Sequence, residues 1–440
     1  MFKKVLPLST ILSLRFLGLF LVLPVLSIYA LELKYATPLL VGVIVGGYAL
    51  TQAIFQVPFG AMSDKIGRKP TILVGLIIFL AGSLICAYST NIYYMMLGRF
   101  LQGAGAIGSV ITAMISDLVA EEIRGKAMAI MGISIGISFA IAMGAGPIIG
   151  SKYGVDTLFI ITAVLSVLAI FVLFTKVPNP PKIKHIYHQK TKMSDILKDP
   201  NLLNMIITNG MQKALMTIAF VIIPIILTQK DYGFLWEKPE LYKVYMPAMI
   251  LGLLSMGPAA IFGEKKNKSK EIFLLSIVLF ISSFLIMGFT TNSTVFIIGV
   301  AMFFIAFNMM EPLLQSMITK FAKVHQKGTA LGVSNSIGYF ATFIGASLAG
   351  LLLSVGDRAT IGILVAFVGV IWLLWTLRLQ NPIKHSHLYL PQEKVNLEKL
   401  SNLENEDIAE WYINETEKLV VIKYISNAIE KESLKTKILI

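Results

Sequence analysis

The sequence predicts an all-α membrane protein of twelve transmembrane helices, built as two six-helix repeats, with a small α+β, ferredoxin-like module at the C-terminus. Three observations predict it. Of 440 residues, 56% are hydrophobic and only 14% charged, against roughly 25% charged in an average soluble domain. Charge-free apolar runs of about 20 residues, long enough to cross the hydrocarbon layer as helix, recur along most of the chain. Short segments of the first half return in the second, as Asp64 and Lys65 return in Glu264 and Lys265. A soluble enzyme or a nucleic-acid module is excluded by the same numbers.

The first helix, residues 6–31, follows Lys3 and Lys4. It is too long for a signal-peptide core and is read as retained. The limits of the apolar runs place the others at 39–62, 71–90, 92–118, 127–150, 156–175, 202–228, 244–263, 272–290, 294–319, 329–354 and 359–377. Residues 1–175 then make one six-helix bundle and 202–383 a second. The loop between them, 176–201, carries Val177 to Pro181 and a basic stretch, and 384–440 makes the C-terminal module.

Lys and Arg orient the chain. They gather in the segments on the side of the N-terminus. Only Lys34, Lys152, Lys230, Lys238, Lys243 and Arg358 fall on the opposite side. The positive-inside rule puts both termini in the cytoplasm, in the inner (plasma) membrane. The net charge of +13 reflects this asymmetry and needs no acidic partner beyond the anionic leaflet.

Between the second and third helices, Pro58 to Pro70 reads PFGAMSDKIGRKP; the same place in the second half, Pro258 to Lys270, reads PAAIFGEKKNKSK. Arg124-Gly125-Lys126 and Lys327-Gly328-Thr329 both open a fifth helix. Tandem repeats suggest a site at their interface near mid-membrane. Gly67 permits a tight turn. Asp64 is expected to end the second helix, Asp117 to end the fourth, and Arg68 and Lys69 to precede the third.

The segment with Gly60, Asp64, Gly67, Arg68 and Lys69 resembles the loop 2–3 motif of the major facilitator superfamily. Arg99 to Gly105 resembles the helix 4 motif of that family. Gly136, Gly146, Pro147 and Gly150 are similar to the helix 5 motif of its drug-exporter branch. The resemblance covers residues 1 to about 380. It implies that the first and fourth helices of each half line a central cavity. It also implies that Gly60, Asp64, Gly67, Arg68, Lys69 and Asp117 act as a conformational latch. The helix 5 glycines have a second reading, close helix packing.

Four ionisable residues lie deep in these helices: Arg15, Arg99, Lys213 and Glu311. Charges in the bilayer are costly and usually face partners or water. They occupy the first and fourth helices of each repeat. Glu311 is the single deep acid and shares a helix face with Asn308 and Gln315, beside Pro312, which can kink the helix. Asn209, Gln212 and Lys213 make a similar stripe on the seventh helix. Glu311 is therefore the proton-coupling candidate, with a fixed ion pair to Lys213 or Arg15 as the alternative. Arg15, Arg99, Asn209, Gln212, Lys213, Asn308 and Gln315 are the expected cavity lining.

In the tail, His387 to Leu390 reads as a strand and Gln392 to Leu403 as a helix. Ile408 to Asn414 and Leu419 to Ile425 read as a hairpin, with Asn414 to Glu417 as its turn. A helix capped by Ser426 and a last strand at Lys437 to Ile440 complete the order. It is similar to the cytosolic domain that some exporters of the superfamily carry.

No Walker loop and no metal-ligand spacing is present. Cys86 is the lone cysteine. The expectation is a monomeric secondary transporter, without cofactor, metal or nucleic-acid partner. It would exchange a small-molecule substrate for protons, in efflux, by alternating access. Two alternatives remain: an anion transporter, and a membrane sensor that transports nothing.

Overall fold

A computed structural model describes residues 2–178, 193–230, 234–323, 326–382, 385–402, 408–415, 417–425 and 431–439. Among them are twelve helices long and apolar enough to cross a membrane. In the first half they are α1 (Lys3–Ala30), α2 (Pro38–Ile66), α3 (Arg68–Ala87), α4 (Ile92–Leu118), α5 (Glu121–Tyr153) and α6 (Val155–Thr175). The second half has α7 (Pro200–Thr228), α8 (Lys238–Lys265), α9 (Ser269–Phe289), α10 (Ser293–Phe321), α11 (Lys327–Val355) and α12 (Arg358–Thr376).

Local chemistry starts several of them. Thr37, Asn91, Asp199, Asn292 and Asp357 each accept backbone N–H groups of the first turn they precede. Pro38 and Pro200 then occupy first helical positions, where a missing N–H costs nothing. Several helices run beyond the apolar stretch that predicts them. Arg68 and Lys69, expected before the third helix, are its first residues, and Arg124, expected at the opening of the fifth, lies a turn inside it. Charged turns in water remain helical, so hydropathy underestimates length at these ends.

Within the first half, α1 packs on α5 and α6, α2 on α4, and α3 on α4 and α6. In the second, α7 packs on α11, α8 on α10, and α9 on α10 and α12. The halves meet through α2 with α11, α5 with α8, and α1 with α7. These seams lie toward the face opposite the termini. There a Cβ on Gly42 would stand 2.2 Å from the Ala346 carbonyl oxygen, and one on Gly350 2.2 Å from that of Pro38. Such backbone contact is what small residues permit. On the same face Glu32 pairs with Lys238, whose ammonium sits 4.3 Å from the Tyr29 ring centroid. Toward the face that carries the termini, Gly132 and Gly136 of α5 and Gly328 and Gly332 of α11 meet open space instead. The two halves are thus closed on the far face and spread on the terminal face.

After α12 come β1 (His385–Pro391), α13 (Leu397–Asn402), β2 (Ile408–Asn414), β3 (Leu419–Ile425) and α14 (Lys431–Ile438). The strands form an antiparallel sheet in the order β1-β3-β2. Leu388, Leu390, Val420 and Ile422 pack one sheet face against Leu400 and Leu434 of the helices.

Two expectations for the tail need correction. The helix predicted from Gln392 is a short 3-10 turn, Gln392–Lys394, then α13. Asn396 restarts it by accepting the Lys399 N–H at 3.0 Å. The last strand, predicted at Lys437 to Ile440, is helix through Ile438, and only an antiparallel bridge, Val395 with Leu439, remains of it. Leu434 and Ile438, one helical turn apart, are both fully buried against the sheet. The Ser426 cap lies outside the described residues, as does position 416 of the predicted turn.

Candidate functional site

The deep polar residues of the first half form one connected cluster. Arg15 of α1 is buried; its Nη2 donates to Gln52 Oε1 of α2 at 3.1 Å and to the Gln102 carbonyl of α4 at 3.4 Å. Its guanidinium carbon lies 5.7 Å and 5.2 Å from the ring centroids of Phe16 and Phe79. Its Nε and Nη1 have no hydrogen-bond partner among the described residues. Arg99 of α4 is buried, and each of its three side-chain nitrogens makes a hydrogen bond. It donates to the Ile44 and Val45 carbonyls of α2 at 3.2 and 3.3 Å, and to Gln102 Oε1 at 2.8 Å. Gln102 Nε2 in turn donates to Ser83 Oγ of α3 at 2.9 Å. The approach is close because a Cβ on Gly103 would stand 1.8 Å from the Tyr48 carbonyl oxygen. Arg99 is therefore a tie between α4 and α2, whereas Arg15 keeps donor capacity unspent.

In the second half, Lys213 Nζ of α7 meets the Glu311 carboxylate of α10 at 2.9 and 3.1 Å. Their side chains are 23% and 39% exposed although both lie deep in their helices. The Lys213 ammonium also lies 5.2 Å from the Phe307 ring centroid. The neighbours on the predicted stripes bind helices together. Asn209 donates to Ser334 of α11 at 2.8 Å and 3.0 Å, and Gln212 to the Phe307 carbonyl at 3.0 Å. Asn308 donates to its own helix at Phe304, and Gln315 reaches Asn335 at 3.4 Å. Helix α10 runs unbroken through Pro312.

Sequence reasoning missed Gln52, Gln102 and Tyr339. Tyr339 of α11 lies beside Gln52 and within electrostatic reach of both Arg15 and Glu311. The signal was present: glutamines deep in apolar helices need partners as charges do.

At the terminal face, Arg68 links three helices. Its Nη1 donates to Asp64 Oδ1 at 2.6 Å and Ser63 Oγ at 2.5 Å, and its Nε to Asp117 Oδ2 at 2.9 Å. Gly67 holds φ +100° between α2 and α3, a conformation that suits glycine alone. Gly60 faces open space and Lys69 is half-buried. The second half fastens its helix ends with the signs of the pair exchanged, an acid at the end of its second helix meeting a base on its fourth. Glu264 of α8 takes the place of Asp64, accepts from Ser316 Oγ at 2.5 Å, and pairs with Lys320 of α10.

Along α5 the glycines divide. A Cβ on Gly146 would come 2.2 Å from the Leu21 carbonyl oxygen of α1, and one on Gly150 would touch Val25 and Leu158. Pro147 lies inside the helix, buried, and Gly136 faces open space.

A sequence model of the Major Facilitator Superfamily matches residues 8–345 and again 249–413. The chain is 37% identical over 434 residues to the inner membrane transport protein YajR of Escherichia coli (strain K12), covering 96% of this chain and 94% of that protein. It is 27% identical over 376 residues to the quinolone resistance protein NorA of Staphylococcus aureus (strain MRSA252), covering 82% and 92%. Among solved structures, the nucleoside transporter NupG aligns with a TM-score of 0.66 at 15% identity, covering 85% of this chain and 98% of that one. The human organic anion transporter MFSD10 aligns at 0.62 and 17%, covering 85% and 99%. These two likenesses concern the fold alone.

Proposed function

Since the chain belongs to the major facilitator superfamily, a family of membrane transporters and not of enzymes, we propose that it exports a small, partly apolar molecule in exchange for protons by alternating access. The observation that carries this reading is the Lys213–Glu311 pair, buried deep in the helices yet partly exposed. The carboxylate there is paired with an ammonium across two helices. A proton arriving on Glu311 abolishes the charge attraction, frees Lys213, and lets the pair separate as the cleft closes. Substrate and proton then favour different arrangements of the same helices, which is what exchange requires. Quinolone resistance NorA and a multidrug resistance protein of Bacillus subtilis among the relatives support efflux.

In this reading residues 1–175 and 202–383 rock as two bodies about the 176–201 connection. Both termini lie in the cytoplasm of a cell whose inner membrane holds the protein as a monomer. The terminal face is then cytoplasmic, and the structure is inward-open. The Arg68 cluster and its charge-reversed counterpart at Glu264 fasten helix ends within each half and act as latch parts when the face closes.

A second reading has one observation in its favour. Arg15 is a buried cation without an acidic partner among the described residues, with two unspent donor atoms. An anionic substrate would supply that partner. Proteoliposome counterflow across cationic, neutral and anionic compounds, with and without an imposed pH gradient, tests both. Exchange of anions alone favours the second reading, and no flux of any compound would leave a sensor.

A further inference from the structure

The sheet of the C-terminal module has two faces, and only one is used by its own helices. The other, carrying His387, Tyr389, Glu410, Tyr412, Asn414 and Lys423, lies on the terminal ends of α5 and α11. At α5 the contacts converge on Glu121, the first residue of the helix. Its carboxylate accepts from Tyr412 Oη and from Asn414 Nδ2, the latter at 2.6 Å. Its backbone N–H donates to the Glu417 carboxylate at 3.0 Å. Helix α5 has no side-chain cap of its own, so Glu417 supplies from the module the anion that a helix N-terminus favours. At α11 the contact is with Lys327, again the first residue, whose Nζ lies 3.3 Å from His387 Nε2. Lys423 of the central strand is buried between these two points.

Glu121 belongs to the first half and Lys327 to the second. They are near-equivalent positions of the internal repeat, and each is in electrostatic reach of the other. The module therefore bonds to a helix start in each half, on the face where the halves are spread. We infer that this sheet face is a docking surface for the paired starts of α5 and α11, and that docking clamps the halves at the separation seen here. Closing the terminal face moves one helix start against the other and must break at least one set of these bonds. Docking and the inward-open state are then thermodynamically linked: each favours the other. The inference rests on the alternating-access reading given above.

The test uses the full chain with spin labels at two pairs of exposed positions; the buried Cys86 stays in place. Labels at Lys65 and Lys266 report the separation of the halves on the terminal face. Labels at Glu122 and Glu393 report docking. The triple variant His387→Ala, Tyr412→Phe, Asn414→Ala changes the module alone. Its expected result is loss of the docked Glu122–Glu393 distance together with a shift of the Lys65–Lys266 population toward the closed separation, by roughly tenfold, the worth of one or two hydrogen bonds. Undocking with an unchanged Lys65–Lys266 distribution overturns the clamp. Should the triple variant stay docked, deletion of residues 384–440 removes the module outright, and an unchanged distribution there overturns it equally. If the distances shift but no variant shows counterflow, the clamp stands and the transport reading fails.

Discussion

Lys213 of α7 and Glu311 of α10 meet at 2.9 Å across two helices that occupy the same place in the second half as Arg15 and Arg99 hold in the first. The second half thus pairs its deep base with an acid. The first half leaves Arg15 to a glutamine, a carbonyl and two rings. The single acid deep in the described spans therefore sits opposite a lysine.

Glu311→Gln keeps size and hydrogen bonding but carries no exchangeable charge. We expect a pH gradient to stop driving substrate accumulation, with counterflow at matched pH within a few-fold of the parent. Breaking a purely structural pair instead leaves the Lys213 ammonium unpaired between helices and would abolish folding or all flux. Gradient-driven accumulation equal to the parent would contradict both roles.

Arg68→Ala and Asp64→Asn should slow turnover and leave equilibrium substrate affinity within about twofold. The Arg68 contacts to Asp64 and Asp117 lie at helix ends, far from the Lys213–Glu311 pair. A tenfold loss of affinity at normal turnover would remove these residues from the latch. Glu264→Gln in the second half should give a milder version of the same phenotype, because only Ser316 and Lys320 lose their anion.

Arg99→Met should behave as a stability mutant. Three hydrogen bonds from a buried guanidinium are lost, each worth about 1.5–3 kcal/mol when a charge takes part. The midpoint of thermal unfolding in detergent should fall by several degrees. Arg15→Met, which gives up fewer bonds, should fall less and should alter which substrates exchange. A larger loss of thermal stability from Arg15→Met than from Arg99→Met would reverse the roles assigned to the two arginines.

Docking of the module should strengthen as pH rises. Burial pushes the Lys423 ammonium below the usual lysine value, with Glu410 pulling partly the other way. The docked form therefore loses that proton before the free module does, and docking gains as pH climbs through the depressed value toward about 10.4. Glu121, pushed up by burial, works the other way at the acid end, because docking favours its protonated form. The Tyr389 hydroxyl, pushed up by burial, stays neutral throughout. The docked fraction from the Glu122–Glu393 labels should rise as pH climbs through the depressed Lys423 value toward the ordinary lysine range; a falling fraction there would show that docking does not bury Lys423.

Hydropathy, the placement of lysines and the repeat determined a good deal by themselves. Twelve helices, their order, the hairpin of β2 and β3, and the depth of Arg15, Arg99, Lys213 and Glu311 are all local properties, written in runs of neighbouring residues. Glu311 was singled out because an acid in an apolar run is unusual wherever it points. Which base it meets was decided in three dimensions, since Lys213 and Arg15 are equally deep in the sequence and only helix packing sets α7 beside α10. The same holds for Gln52, Gln102 and Tyr339, whose importance comes from what faces them across a helix seam. Helix ends extended past their predicted limits because water tolerates helical charged turns that hydropathy reads as loop. The grip of Tyr412, Asn414 and Glu417 on Glu121 had no sequence signature at all. Its partners stand nearly three hundred residues apart, and the contact exists because the fold brings the sheet's free face over two helix starts that carry opposite charge.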